Sequence, residues 1–268
     1  MSSRLIPLFL MGIFACQSDP PLPSEQATGT ESPTAVTPRP SPVTPPSSGK
    51  LPKAISPPGK HQRDENEPQP GILTEQQLQG MLRTGRDVWQ KPTEVLAFAD
   101  INTGDHVADI GCGAGYWSYH IASAVGESGK IYAVDFDANA IDFLKNTRLA
   151  ENPIPNLEPV LSRSFDTLLE ENSIDHAVLV DVHFFKQPNE PSGSQISEDF
   201  PRFYASIKKA LRPDGTLIIL EHKETYASSR QVTQAQIISQ LEPIGFQLEK
   251  SSDMIDRQYF MIFKAIDN

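Results

Sequence analysis

Two carboxylates and three glycines carry the first chemistry that can be read. Residues 107–116 run Val-Ala-Asp-Ile-Gly-Cys-Gly-Ala-Gly-Tyr, and the next apolar stretch, from Lys130, ends in Asp135. Glycines at Gly111, Gly113 and Gly115 permit a tight turn and leave bare backbone for a ligand to lie against. Amide N–H groups at the start of a following helix point at such a ligand. A carboxylate at Asp135 can accept both hydroxyl hydrogens of a ribose. Asp109 precedes the first glycine. It is a poor neighbour for a pyrophosphate and a good one for a ligand with a cationic end, such as an amino acid. The Gly-x-Gly-x-x-Gly pattern of a nicotinamide dehydrogenase is missing. Asp135 alone also fits a helix N-cap, a reading that the run Asp135-Phe-Asp137 keeps open. Cys112 reads as a small residue filling the loop rather than as a nucleophile.

The elements that must position these groups follow from periodicity. Strands are expected at His106–Ile110, Lys130–Asp135, Leu157–Leu161, Ala177–Val182 and Thr216–Glu221, with a terminal pair at Phe246–Asp253 and Gln258–Lys264. Helices are expected over Tyr116–Val125 and Asn139–Leu149, from Pro201 to about Leu211, and over Val232–Leu241. A proline-started helix runs from Pro92 to Ile101, and a polar helix over Thr74–Gly85 suits a lid. Alternating β and α elements imply a doubly wound α/β sheet with helices on both faces.

The chain from about Val88 to Ala265 resembles the class I S-adenosylmethionine-dependent methyltransferases. Asp109-Ile-Gly-Cys-Gly-Ala-Gly115 matches that family's first motif, and Tyr132-Ala-Val-Asp135 its second. Asn172-Ser-Ile-Asp175 with Ala177-Val-Leu-Val-Asp181 is similar to its fourth strand and lead-in. Leu211-Arg-Pro-Asp-Gly-Thr-Leu-Ile-Ile219 is similar to its turn into strand five. The resemblance implies a mostly parallel seven-stranded sheet, Rossmann-like, that ends in an antiparallel hairpin. It also implies S-adenosyl-L-methionine as cofactor. Its contacts are expected from Asp109, Gly111, Cys112, Gly113, Gly115, Asp135 with its neighbour Phe136, and Asp181. The family's acid beside the adenine falls here on Arg163, so Ser164 and Phe165 are expected to supply adenine contacts, or Asp166 if the loop is shifted.

Methyl transfer is a displacement at a sulfonium, and the protein chiefly aligns the partners. Proton acceptors are sought after strands four and five, where Asp181, His183, Glu221 and His222 lie. His183 is the catalytic candidate, with a lining or capping role as the alternative. His106, at the opposite end of strand one, reads as structural. The acceptor is not named by any motif in the polar insertion Phe184–Phe200. Small-molecule, lipid and protein acceptors all stay open.

The chain's beginning is of another kind. Arg4 precedes an apolar run, Leu5–Ala15, too short to span a bilayer. Ile13-Phe-Ala-Cys16 resembles the bacterial lipoprotein box, which implies a signal peptide over 1–15 and lipidation of Cys16. Gln17 is not the aspartate of an inner-membrane retention signal, so a periplasm-facing outer-membrane anchor is expected, with a plain cytoplasmic location as the alternative. Residues 17–70 hold fourteen of the 24 prolines among Ser, Thr and Gly. Such a stretch buries too little to offset its ordering entropy and reads as a tether, leaving 71–268 as the enzyme domain. A net charge of −11 argues against a nucleic-acid surface. Scattered histidines and the lack of a Cys-x-x-Cys argue against a metal site. An exported domain meets little cytosol-made cofactor, so a ligand-binding module that kept the fold without turnover stands beside the enzyme reading.

Overall fold

A computed structural model describes residues 72–182, 199–223 and 233–266. They all lie in the compact unit Arg63–Asn268. The expected signal peptide, Cys16, the tether and His183 fall outside the described residues.

Seven strands form one sheet in the order β3-β2-β1-β4-β5-β7-β6. They are β1 (His106–Ile110), β2 (Lys130–Asp135), β3 (Leu157–Leu161), β4 (Ile174–Val180), β5 (Leu211–His222), β6 (Phe246–Ser252) and β7 (Gln258–Ala265). The first five pair in parallel, and β7 runs antiparallel to β5 and β6. The chain reverses its winding at β1, between β2 and β4. In doubly wound sheets a ligand crevice opens outside the carboxyl ends of the strands at such a switch point.

Eight α-helices lie around this sheet among the described residues: α1 (Glu75–Met81), α2 (Arg86–Gln90), α3 (Pro92–Phe98), α4 (Tyr116–Val125), α5 (Ala138–Phe143), α6 (Leu149–Glu151), α7 (Asp199–Ala210) and α8 (Gln234–Leu241). The period-two alternation of the strands divides the core between the two faces. Val107, Ile131, Val178 and Ile218 pack with Leu96 of α3 and with Ile121 and Val125 of α4. Ala108, Ile110, Leu179 and Ile219 pack with Ile207 of α7 and with Ile237 and Leu241 of α8.

Several boundaries differ from expectation. Strand β4 begins three residues before Ala177. Its polar opening residues are satisfied in place, Asp175 by Arg212 and His176 by Thr216. It ends before Asp181, whose φ of 59° turns the chain out of the ladder. The helix expected over Asn139–Leu149 starts one residue earlier and is interrupted by a π-turn at Leu144–Arg148. Strand β5 begins at Leu211, which pairs with Ile174 before a register shift. The polar helix α1 stops at Met81, and α2 follows as a separate short helix. Thr74 caps α1 through a reciprocal capping box with Gln77.

Candidate active site at the carboxyl edge

The loop between β1 and α4 is built on left-handed backbone. Gly111, Gly113 and Gly115 have φ of 75°, 51° and 77°. Gly115 is the N-cap of α4, so the helix starts directly from the loop. A Cβ on Gly113 would lie 2.9 Å from Met81 Sδ. The last residue of α1 therefore rests on the loop where backbone is bare. The backbone N–H groups of Gly111 and Cys112 both donate to Val134 O, at 2.7 and 3.1 Å, which ties the loop to the end of β2. Burial pushes the Cys112 thiol well up in pKa, as suits a packing residue.

Asp135 closes β2 beneath this loop. Its Oδ2 accepts the Gly113 N–H at 2.8 Å and its Oδ1 the Asp137 N–H at 2.9 Å. The helix cap is Asp137, not Asp135: its Oδ1 accepts from Asn139 N at 2.9 Å. Its Oδ2 accepts the Ile72 and Leu73 N–H groups at 2.9 and 2.7 Å. The chain leading into α1 is thus latched beside Asp135, with Leu73 and Leu78 packed against Ala114, Ala140 and Phe143.

Asp109, at 2 % exposure, accepts Ser118 Oγ at 2.5 Å. Burial raises the pKa of Asp109 to about 6, with Asp135 adding to the effect, and burial raises Asp135 to about 6 as well. Two desolvated carboxylates beside a bare glycine loop fit a ligand that brings a cation and hydroxyl donors. S-adenosylmethionine carries both, as an ammonium, a sulfonium and a ribose diol.

Ser164 and Phe165 lie in the tight turn Arg163–Asp166, where Arg163 N donates to Asp166 O at 2.9 Å. The turn adjoins Asp135 through Ser162 N, which donates to Asp135 O at 2.9 Å. The guanidinium of Arg202 covers the Phe165 ring at 3.7 Å. Asp181 stands past the end of β4. Its Oδ1 accepts Gln258 Nε2 at 2.7 Å and lies 3.5 Å from His222 Nε2.

Arg86, Gln90 and Gln258 belong to none of the sequence motifs and still meet at this edge. Arg86 donates to Gln90 Oε1 and to Met81 O, and its guanidinium lies 4.1 Å from the Tyr116 ring centre. Burial lowers its pKa, while Asp181, Tyr116 and Asp109 oppose that. Gln90 Nε2 donates to Gln258 Oε1 at 3.0 Å, and both residues are fully buried. Their one trace in the sequence is the i, i+4 spacing of Arg86 and Gln90. No group of potential metal ligands occurs among the described residues. None of their helices is long and apolar enough to cross a membrane.

A five-stranded parallel core with a hairpin on one side, and a glycine loop facing an acid at the end of the second strand, define the class I S-adenosylmethionine-dependent methyltransferases. A methyltransferase-domain family matches residues 101–258, and the chain belongs to it. It is 26% identical over 193 residues to a 2-phytyl-1,4-naphtoquinone methyltransferase of Trichormus variabilis, across 71% of this chain and 76% of that one. It is 26% identical over 133 residues to the demethylmenaquinone methyltransferase of Bacillus mycoides, half of each chain. A solved S-adenosylmethionine-dependent methyltransferase from Aquifex aeolicus, at 18% identity, shares the fold with a TM-score of 0.62 over 73% of this chain and all of that one. The protein is an S-adenosylmethionine-dependent methyltransferase.

Proposed function

We propose that the protein methylates a phenol-type ring, a reduced quinone, at the face of a membrane to which its amino terminus is tethered. The cofactor supplies an activated methyl group, and the chain's residues bind it and present the acceptor. Asp135 is suited to the ribose diol and Asp109 to the cationic end. The bare glycine backbone of the loop leaves room for the aminoacyl part, with Ser164 and Phe165 toward the base.

One observation carries the acceptor class. Trp89 of α2 stacks on His222 of β5, centroids 6.0 Å apart and planes inclined by 26°. The pair stands at the carboxyl end of β5, and an aromatic edge of this kind suits a planar ring as a neighbour. Two relatives named as quinone methyltransferases support the same class.

A quinone with an isoprenoid tail stays in the bilayer, so the enzyme must come to it. The apolar run before Cys16 and the proline-rich residues 17–70 support a lipid anchor and spacer. Outside the cytoplasm the cofactor must be delivered, and a cytosolic location would remove that demand.

The test is to incubate the full-length chain with methyl-labelled S-adenosylmethionine and 1,4-dihydroxynaphthalene. Label in the ring product is expected. Binding of S-adenosylhomocysteine without turnover of any ring hydroxyl would sink the acceptor class. For the anchor, a fatty-acid analogue should label the wild type but not Cys16→Ser. A soluble chain that retains Met1 would defeat that part.

A further inference from the structure

We propose that His222 takes the hydroxyl proton of the acceptor and that Asp181 orients and charge-compensates its imidazole. This assignment rests on the ring-hydroxyl reading above and names the groups that would serve it.

The two residues come from adjacent central strands. His222 is the last residue of β5, and Asp181 follows β4, its N–H donating to Leu220 O at 2.9 Å. Val182, next in the chain, lies against Gly111, since a Cβ there would collide with its side chain. The pair therefore borders the cofactor loop on the acceptor side.

Its geometry suits proton transfer. Nε2 of His222 lies 3.5 Å from Oδ1 of Asp181, and the side chains are 16 and 14 % exposed. In the tautomer protonated at Nε2 the proton faces Asp181 and the lone pair is on Nδ1, which is buried. When Nδ1 accepts a proton, the same carboxylate stabilises the imidazolium.

The pair is also braced more heavily than packing requires. Asp181 has a left-handed φ of 59°, uncommon for a non-glycine residue, and such outliers cluster where geometry serves a site. Gln258 donates to its carboxylate, Gln90 donates to Gln258, and Arg86 donates to Gln90. This relay of buried amides runs from α2 through β7 to one carboxylate oxygen. Apolar side chains would fill the same space without needing partners. Trp89 fixes the imidazole plane from the side of α2.

The charged surroundings are mixed. Asp181 faces His222 from β4, and Glu221 Oε1 accepts the His222 N–H at 3.2 Å on its own strand. Arg86 acts on Asp181 from α2. Arg257 lies 5.3 Å over the Trp89 ring, and Lys223 N donates to Arg257 O at 2.9 Å.

The step balances as follows. The acceptor's O–H proton passes to the imidazole. The acceptor's ring oxygen or adjacent ring carbon bonds the methyl carbon, and the electron pair of the broken carbon–sulfur bond stays on sulfur. For carbon attack the ring carbon's own hydrogen leaves as a proton, which restores the hydroxyl. Either route releases one proton and needs no oxidant.

The test uses the full-length chain with His222→Gln and Asp181→Asn. Calorimetry with S-adenosylhomocysteine should give His222→Gln wild-type affinity within about twofold, which shows that this variant folds and loads, and a thermal melt should show that Asp181→Asn folds. With 1,4-dihydroxynaphthalene, His222→Gln should lower kcat by about 10²–10⁴-fold and remove the acid-side bend of the pH–rate profile. Asp181→Asn should lower kcat for the diol at least about tenfold with little change in its KM, as loss of a positioning partner does and a merely structural change does not. A His222→Gln enzyme with wild-type kcat and an unchanged pH bend would overturn the assignment. So would a folded Asp181→Asn enzyme with wild-type kcat. A wild-type chain that binds S-adenosylhomocysteine but leaves the diol untouched overturns the ring-hydroxyl reading, and this assignment with it.

Discussion

At the amino end of β1 and β4, Asp175 meets Arg212 Nη1 with both oxygens, at 2.8 and 2.7 Å, and accepts the His106 N–H at 2.8 Å. Beside it, His176 Nε2 lies 3.4 Å from Asp105. At the carboxyl end of β1 and β2, Asp109 and Asp135 have hydroxyl and amide donors. Burial works against Asp175 too, but the His106 amide and Arg212 outweigh it and hold its pKa below the usual carboxylate value. Burial wins at Asp109 and Asp135, which rise to about 6. One end of the sheet is electrostatically finished by the fold. The other retains negative charge at a cost in stability, as a binding edge does when a cationic ligand completes it.

The sharpest way to break this contrast is to fill the bare loop. Gly113→Val puts a β-branched side chain at φ 51° and within 2.9 Å of Met81 Sδ. Strain of about 1–3 kcal/mol, added to lost approach of the ligand, should weaken S-adenosylhomocysteine binding more than about 100-fold. Folding should suffer less, since Met81 ends a short helix that can shift. Calorimetry beside a thermal melt checks both. Normal binding would reduce the loop to a turn.

Asp135→Ala comes next. Loss of a charged acceptor costs about 1.5–3 kcal/mol, so affinity should fall roughly ten- to a hundredfold. The variant also frees the Gly113 and Asp137 amides, so a circular-dichroism control must show that it folds. A folded variant with unchanged affinity would remove Asp135 from the site.

Why some of this edge was legible in the sequence follows from distance along the chain. Asp109, the glycines and Asp135 lie on one β-α-β unit, where local spacing sets spatial position. Strands β1, β2 and β3 were read to the residue for the same reason. The sequence left Asp135 open as a cap, and the Asn139 hydrogen bond gives that place to Asp137. Gln90 and Gln258 meet across most of the domain, and nothing local to either announces the other. Helix α2 was missed because it is five residues between left-handed Gly85 and Lys91, too short for a period to show. The start of β4 was missed because Asp175 and His176 interrupt its apolar run, and their partners come from β1 and β5.

The two ends should respond to acid with opposite signs. Asp109 and Asp135 have folded pKa values near 6, above the ordinary 3.8, so the folded state binds the extra protons. The ligand-free protein should therefore gain stability from this edge as pH falls from 7 toward 4. A carboxyl moved from 3.8 to about 6 corresponds to roughly 3 kcal/mol, an upper figure for Asp109→Asn, which removes the buried charge and can still accept from Ser118. Asp109→Asn should be more stable than wild type by about 1–3 kcal/mol at pH 7 and no more stable near pH 4. Denaturant melts at both values test this. Equal stability at pH 7 would mean that Asp109 is not held at a cost.

The smallest effect belongs to the finished end. Asp175 has a lowered pKa, so its contribution is present above its unfolded value and is lost only as pH falls through the folded one, below about 3.8. Its partner Arg212 is 37 % exposed, so water screens the pair and its two-point geometry adds little beyond an ordinary surface bridge. Arg212→Ala should cost less than about 1 kcal/mol at pH 7. Part of that is the lost contact with His106, whose Nδ1 lies 3.1 Å from Arg212 Nη2. S-adenosylhomocysteine affinity should not change, because the strand separates this pair from the glycine loop by its full length. A melt and a titration on the same preparation decide it. A loss of affinity with Arg212→Ala would show that the two ends are coupled through β4, and that the charge pattern of the amino end helps to set Asp181 at the other.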